Sequence, residues 1–102
     1  MLVVRIATEV IGTFVFVAVI LTTGDPIAIA AALLTAIYFG GKLSGGHFNP
    51  AVSAAMLMRG NIGVRTFASY VAAQLVGGAL AVAWWKSAET TRREIGTGAK
   101  LE

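Results

Sequence analysis

The chain has 102 residues, of which 57% are hydrophobic and 13% are charged, and its formal net charge is +3. A soluble domain carries about 25% charged residues, so this composition excludes an ordinary soluble protein and indicates an integral membrane protein. No cysteine is present, which excludes disulfides and thiolate metal sites. The positive charges lie mainly near the ends of apolar segments, where they suit lipid headgroups better than nucleic acid.

The first apolar segment predicts a membrane-spanning helix over about residues 2–23, because a span needs roughly 20 apolar residues. It is too long for the core of a cleaved signal peptide, so we expect it to be retained. A turn at residues 24–26, Gly-Asp-Pro, then leads into a second span, predicted over about residues 26–43.

The stretch SGGHFNPAVS at residues 44–53 separates the second span from a short apolar segment. Asn is a strong helix N-cap and Pro is favoured at the first helical position, so Asn49 and Pro50 predict the start of a helix. This helix should cover about residues 50–58 and reach about 13 Å, less than half of a hydrocarbon core of roughly 30 Å. Irregular backbone at membrane depth is tolerated only where protein buries it or it lines a wet cavity. The sequence therefore predicts a re-entrant half-helix that starts near the middle of the membrane.

A third span is predicted over about residues 66–85, ending at two tryptophans that suit an interfacial aromatic belt. Residues 87–102 are polar, and we expect them to form a frayed or disordered tail at a natural chain end. The last two residues, Leu101-Glu102, have the form of an expression-vector remnant. The predicted fold class is an all-α membrane protein with three transmembrane helices and one re-entrant half-helix, in a membrane domain at residues 1–86.

The polar side chains within the spans do not predict catalysis. His47 is the single histidine, and with no cysteine and one distant carboxylate, Glu9, neither a metal site nor a proton relay is expected. Ser44 and Ser53 lack a carboxylate that could orient a base, so no nucleophile is predicted. No catalytic residue and no cofactor is expected. Glu9 in a span is costly unless it is partnered, so it either stays wet near the headgroups or faces inward and accepts hydrogen bonds.

Three stretches carry a family resemblance: TEVIGTF at residues 8–14, SGGHFNPAVS at residues 44–53 and YVAAQLVGGA at residues 70–79. Together they resemble the aquaporin, or major intrinsic protein, family, over about residues 4–85 and most closely the first half of bacterial water channels. In that family each chain holds two inverted repeats of three spans and a half-helix, and two Asn-Pro-Ala motifs meet at the midplane. The resemblance implies that Asn49, Pro50 and Ala51 form half of a pore centre.

The same resemblance implies roles for the residues around the motif. Gly45, Gly46 and His47 would belong to the pore-lining loop, with His47 in a structural or pore-lining role. Glu9 would face inward and accept hydrogen bonds from this loop. Gln74 would pack beside the loop and donate a hydrogen bond to it.

Selectivity is the point at which the chain departs from the family pattern. The family's second motif usually has an arginine three residues after its Asn, and here that position is Val52. The filter position on the second span corresponds to about Ile29, where many relatives have an aromatic residue. The resemblance therefore implies an apolar filter of altered width, with proton exclusion resting mainly on the helix ends and Asn49.

The chain also holds only one repeat. The simplest completion is a second copy inserted upside down, which gives an antiparallel homodimer for each pore, and four pores from eight chains if the family tetramer is kept. Orientation follows the imbalance of Lys and Arg between the two sides. Four such residues are expected on one side (Arg5, Lys42, Arg59, Arg65) and four on the other (Lys86, Arg92, Arg93, Lys100). This balance permits dual topology.

The sequence thus predicts a passive channel subunit for water and small neutral solutes such as glycerol. Its partners would be the lipid bilayer and further copies of itself, without nucleic acid, in the plasma or inner membrane of a bacterium or a host cell. The alternative is a non-conducting half-channel that associates with or regulates a full-length aquaporin. An enzyme reading has no support beyond isolated polar residues.

Overall fold

The computed structural model describes the backbone of residues 1–101 and the side chains of residues 1–96. Within that range the chain forms four α-helices and no strand: α1 (Leu2–Thr22), α2 (Pro26–Ser44), α3 (Pro50–Met58) and α4 (Val64–Leu101). Three segments are long and apolar enough to cross a bilayer, namely α1, α2 and the Val64–Gly96 part of α4. With nine residues, α3 reaches only about 13 Å. The predicted fold class is confirmed.

Helix α2 begins at Pro26, directly after an N-cap residue. The Asp25 side chain accepts a hydrogen bond from the backbone N–H of Ile27 at 3.0 Å, and Pro26 takes the first helical position. Asp25 is therefore an N-cap that satisfies one of the unpaired donors of the first turn. The turn that joins α1 to α2 is only three residues long, which places the two helices side by side.

The contacts between the helices fix their directions. A Cβ built on Gly40 of α2 would lie 3.0 Å from Cγ2 of Thr8 on α1, and the three-residue turn makes these helices antiparallel. On α4, Gln74 contacts Glu9, and Trp84 packs edge-on against Phe14 with ring centroids 6.4 Å apart. In these two contacts the residue numbers increase together along both helices, so α1 and α4 run in the same direction. The starts of α1 and α4 and the end of α2 therefore share one end of the bundle, which we call the Arg5 end.

The centre of the molecule is more polar than its outside. The buried polar side chains outnumber the buried apolar ones among residues 1–96, and they are Glu9, Thr13, Ser44, His47, Ser53 and Gln74. Many large apolar side chains are exposed instead, including Ile27 and Phe39. A bilayer is as apolar as these side chains, so helices in it associate through close packing and polar contacts.

The polar tail is where the sequence prediction was wrong. The tail was expected to be frayed from residue 87, but α4 continues without a break to Leu101. Its polar residues support a helix: Arg92 contacts Glu89 at 2.6 Å, and the Thr90 hydroxyl donates to the carbonyl of Lys86 at 3.1 Å. Polarity here marks the end of the apolar segment and not the end of the helix. The expected vector remnant at Leu101-Glu102 lies outside the residues whose side chains are described.

Candidate functional site

The start of α3 is the local feature around which the site is built. Asn49 has extended backbone angles, and its Oδ1 accepts a hydrogen bond from the N–H of Ala51 at 2.8 Å. Pro50 follows at the first helical position, where a missing N–H leaves no bond unmade. The remaining N–H groups of the first turn give this end about half a positive charge. Both Asn49 and Pro50 are exposed on the surface of the single chain.

The loop from α2 to α3 turns through left-handed backbone. Gly45 and Gly46 have φ of +94° and +66°, which glycine adopts without penalty. Phe48 has φ of +53° and is the one non-glycine residue with positive φ among residues 1–101. A bulky residue in this region is strained, and it persists there only when its surroundings hold it. Packing of the ring holds Phe48 in this conformation, since the residue is 2% exposed and its ring fits against Gly12 of α1 and Gly40 of α2.

Glu9 is fully buried at the centre of the bundle and anchors this loop. Its Oε2 accepts hydrogen bonds from the Ser44 hydroxyl at 2.7 Å and from the N–H of His47 at 3.1 Å. Its Oε1 accepts from the N–H of Phe48 at 2.8 Å and from the Gln74 amide at 2.9 Å. A carboxylate is an acceptor-only group, and here both oxygens face donors alone. One side chain of α1 thus connects α2, the loop and α4.

Among residues 1–96, the hydrogen bonds of Gln74 go to two side chains and none goes to the loop backbone. Its Nε2 donates to Oε1 of Glu9 and to Oγ of Ser53, both at 2.9 Å. The expected hydrogen bond from Gln74 to the loop is therefore indirect, because Glu9 and Ser53 lie between them. The amide orientation follows from its partners, since a flipped amide would set its oxygen against the carboxylate.

Ser53 connects Gln74 to His47 through hydrogen bonds. The Ser53 hydroxyl, which accepts from Gln74, lies 2.8 Å from Nδ1 of His47. This hydrogen bond joins the Ser53 hydroxyl to the imidazole ring. Tyr70 packs edge-on against the same ring at 4.9 Å, and its hydroxyl donates to the carbonyl of Ser44. His47 is thus held from two sides and is 8% exposed.

Tyr70 and Ser53 take part in this cluster, although the sequence predicted no role for Tyr70 and predicted of Ser53 only that it is not a nucleophile. Tyr70 lies one turn before Gln74 on the same face of α4, and Ser53 lies one turn after Asn49 on α3. A polar residue one helical turn from a predicted site residue, inside an apolar segment, is the signal that points to both. Phe48 gives no such signal, because its backbone angle and its two glycine contacts depend on the tertiary fold.

The predicted pore and filter residues divide into two locations. Asn49, Pro50, Ala51 and Val52 are consecutive exposed residues at the start of α3, with Val52 36% exposed. Ile29 lies in the first turn of α2, roughly 22 Å along the helix from Ser44. Within one chain, Val52 therefore directly follows the Asn-Pro-Ala segment, whereas Ile29 lies at the opposite end of α2 from the loop that leads to this segment.

The polar side chains of the cluster bond to one another and hold the start of α3 in place. Among the described residues, no group of three His, Asp or Glu side chains could hold a metal ion. The hydrogen-bonding capacity of Glu9 is occupied by scaffold donors. What the site presents outward is the donor-rich start of a half-helix and the amide of Asn49, on a rigid support.

A protein-family model described as Major intrinsic protein matches residues 25–101. Glycerol uptake facilitator protein-like 6 of Lactiplantibacillus plantarum is 41% identical over 88 residues, which cover 78% of this chain and 41% of the relative. Aquaporin Z of Photorhabdus laumondii is 34% identical over 94 residues, with the same two coverages. Probable aquaporin TIP4-1 of rice, Oryza sativa, is 38% identical over 96 residues, covering 74% of this chain and 38% of the relative. No solved structure gives a significant match. The chain spans about two fifths of the length of these relatives.

Proposed function

Because this chain belongs to the major intrinsic protein family, we propose that it is a subunit of a passive channel for water and small neutral solutes such as glycerol. Members of this family are membrane channels, and we assign no reaction to this chain. The relatives named above as a glycerol facilitator and as aquaporins support this range of solutes.

The observation that carries the proposal is the contrast between Ser53 and the residues before it at the start of α3. Ser53 is 0% exposed and is bonded to Gln74 and His47, so it fixes the helix to the bundle. The four residues from Asn49 to Val52 are all exposed. A half-helix end with unpaired donors is stable in a membrane only if it lines a wet cavity or meets another protein surface. A pore wall satisfies both conditions.

The exposed start of α3 suits the passage of neutral molecules. The positive end of the helix repels cations, hydrated protons included. The Asn49 amide uses its oxygen for the cap, so its NH2 group remains to donate to a water or a hydroxyl. Val52 lies where the family's second motif usually has an arginine, and Ile29 at the other filter position is apolar. A pore with this filter accepts solutes wider than water.

One half-helix forms only part of a pore wall, and the missing part is supplied by a second copy in the opposite orientation. A two-fold axis in the membrane plane would bring two Asn49 side chains together. The balance of positive charge supports both orientations, since Arg5, Lys42, Arg59 and Arg65 oppose Lys86, Arg92, Arg93 and Lys100 in the sequence. If such pores group in fours, eight chains form one assembly.

Stopped-flow shrinkage of liposomes that contain only this chain tests the proposal. Wild-type vesicles should shrink faster than empty ones under a sucrose gradient, and should re-swell in glycerol. Asn49→Asp keeps the cap oxygen but has no donor when ionised, so water permeability should fall. Asn61→Asp is the matched control, since Asn61 is exposed in the turn before α4. Permeability equal to that of empty vesicles refutes the self-sufficient channel and leaves the non-conducting half-channel.

The orientation is measured separately. Reporter fusions at each terminus should give a mixture of both orientations. A single orientation contradicts the antiparallel pore, whatever the permeability.

A further inference from the structure

A groove between α1 and α2 is lined mainly by exposed apolar side chains, and the contact of Phe48 with Gly12 and Gly40 lies at its base. Its volume is about 300 Å³. Its walls include Ile11 and Val15 from α1 and Ala36 and Phe39 from α2. An apolar cavity of about 150 Å³ already binds a molecule the size of benzene, so this groove has room for a larger apolar ligand.

The hydroxyl groups that line the groove already donate hydrogen bonds within their own helices. Two of its lining residues carry hydroxyl groups, Thr8 and Thr35. Each hydroxyl donates to the carbonyl one turn earlier in its own helix, at 2.7 Å in both cases. Their methyl groups are then the parts that remain for a ligand. A hydrocarbon chain fits such a surface without leaving a hydrogen-bonding group unpaired.

Two cations stand at one end of the groove. Arg5 lies one turn before Thr8 on α1, and Lys42 lies one turn after Phe39 on α2, so both extend the groove-lining faces. Because α1 and α2 are antiparallel and Thr8 faces Gly40, Arg5 and Lys42 lie at the same level. Both are exposed. Among the described residues the one ion pair joins Arg92 to Glu89, and no exposed carboxylate lies at the Arg5 end.

We propose that this groove binds an acyl chain of an anionic phospholipid whose phosphate group contacts Arg5 and Lys42. The charge at the mouth complements the phosphate, and the apolar walls complement the chain. The groove extends only from Thr8 to Val15 along α1, about 10 Å, which is short for a docked helix and sufficient for part of an acyl chain. The inference is independent of whether the chain conducts water.

Native mass spectrometry of the detergent-purified protein, titrated with phosphatidylglycerol or phosphatidylcholine, tests the site. The wild type should retain phosphatidylglycerol in preference to phosphatidylcholine. Arg5→Gln/Lys42→Gln should lower phosphatidylglycerol retention about tenfold. Arg59→Gln/Arg65→Gln is the matched control, because it removes the same charge from the same end of the bundle, away from the groove. Equal retention by the two double variants overturns the proposal.

A second pair of variants tests the groove itself. Ala36→Phe fills it and should lower the retention of phosphatidylglycerol without any change of charge. Leu34→Phe, on the exposed outer side of α2, should not. If Ala36→Phe instead changes the number of chains per complex and leaves lipid retention intact, the groove holds a second copy and the proposal is wrong. The charge variants keep the test decisive if Ala36→Phe does not fold.

Discussion

The backbone N–H of Phe48 donates to Oε1 of Glu9 at 2.8 Å, across 39 positions of sequence. This bond joins a residue in strained left-handed backbone to a fully buried carboxylate. The ring of Phe48 and the carboxylate of Glu9 hold the same loop from two sides. The start of α3 is therefore a preorganised surface, whose position does not depend on a ligand.

The first prediction concerns the charge of this anchor. Glu9→Gln replaces one acceptor oxygen by an NH2 group, which must face two of the four donors around the side chain. Each buried donor left without an acceptor costs about 1 to 3 kcal/mol, so the destabilisation should be about 2 to 6 kcal/mol. The midpoint of thermal unfolding in detergent, followed by circular dichroism, should fall accordingly. Glu94→Gln, at an exposed position of α4, should leave it unchanged. Equal midpoints for the two variants would show that Glu9 does not anchor the loop.

The second prediction concerns the close approach at Gly12. A Cβ added there would lie 2.6 Å from Cδ1 and Cζ of Phe48, so the ring would have to move. Gly12→Ala should destabilise the protein by about 1 to 3 kcal/mol, the usual effect of overpacking. Adding Phe48→Leu should recover part of the loss, because the two substitutions share one contact.

Gly78→Ala is the control for Gly12→Ala. A Cβ at Gly78 meets no atom within 4 Å, so this change should stabilise α4 by up to about 1 kcal/mol through helix propensity. If both alanine variants behave alike in urea or thermal unfolding, the contact between Gly12 and Phe48 does not limit packing.

The third prediction concerns Ser53, which joins Gln74 to His47. Ser53→Ala leaves Nδ1 of His47 without its hydrogen-bond partner and Gln74 with one acceptor fewer. The loop should open more often, and its backbone amides at residues 45–49 should exchange with deuterium about ten times faster, since one lost buried hydrogen bond corresponds to about 1 kcal/mol or more. Ser69→Ala removes a hydroxyl that bonds only to the carbonyl of Arg65. If Ser69→Ala speeds loop exchange equally, Ser53 has no specific role.

Local chemistry explains which parts of this site could be predicted. Asn49 and Pro50 form an N-cap and a first turn by rules that need only neighbouring residues, and the structure confirms that helix start. Glu9 was expected to be either wet or bonded to the loop, and the structure shows the bonded state. The burial of Glu9 excludes the wet state, and this burial depends on α4, whose Gln74 covers the carboxylate.

What sequence reasoning missed depends on contacts between helices. The positive φ of Phe48 is set by two glycines on different helices, and no local pattern encodes it. Tyr70 reads as an ordinary aromatic until its hydroxyl is seen to meet the carbonyl of Ser44. The end of α4 was misplaced because hydropathy reports the change of solvent, while helix continuation depends on propensity and on pairs such as Glu89 and Arg92.

The last prediction concerns the filter and rests on the proposed pore. Val52 is exposed one helical turn after the cap residue Asn49, so an arginine there would put a long cationic side chain beside the start of α3 in each copy. In an antiparallel pair, two guanidinium groups would then narrow one pore. Val52→Arg should lower glycerol permeability about tenfold or more while water permeability falls less, because a narrower filter discriminates by size. Val64→Arg adds the same group at an exposed valine in the first turn of α4 and should change neither rate. Stopped-flow light scattering of matched liposomes measures both solutes, and unchanged glycerol re-swelling with Val52→Arg would mean that Val52 lies outside the pore.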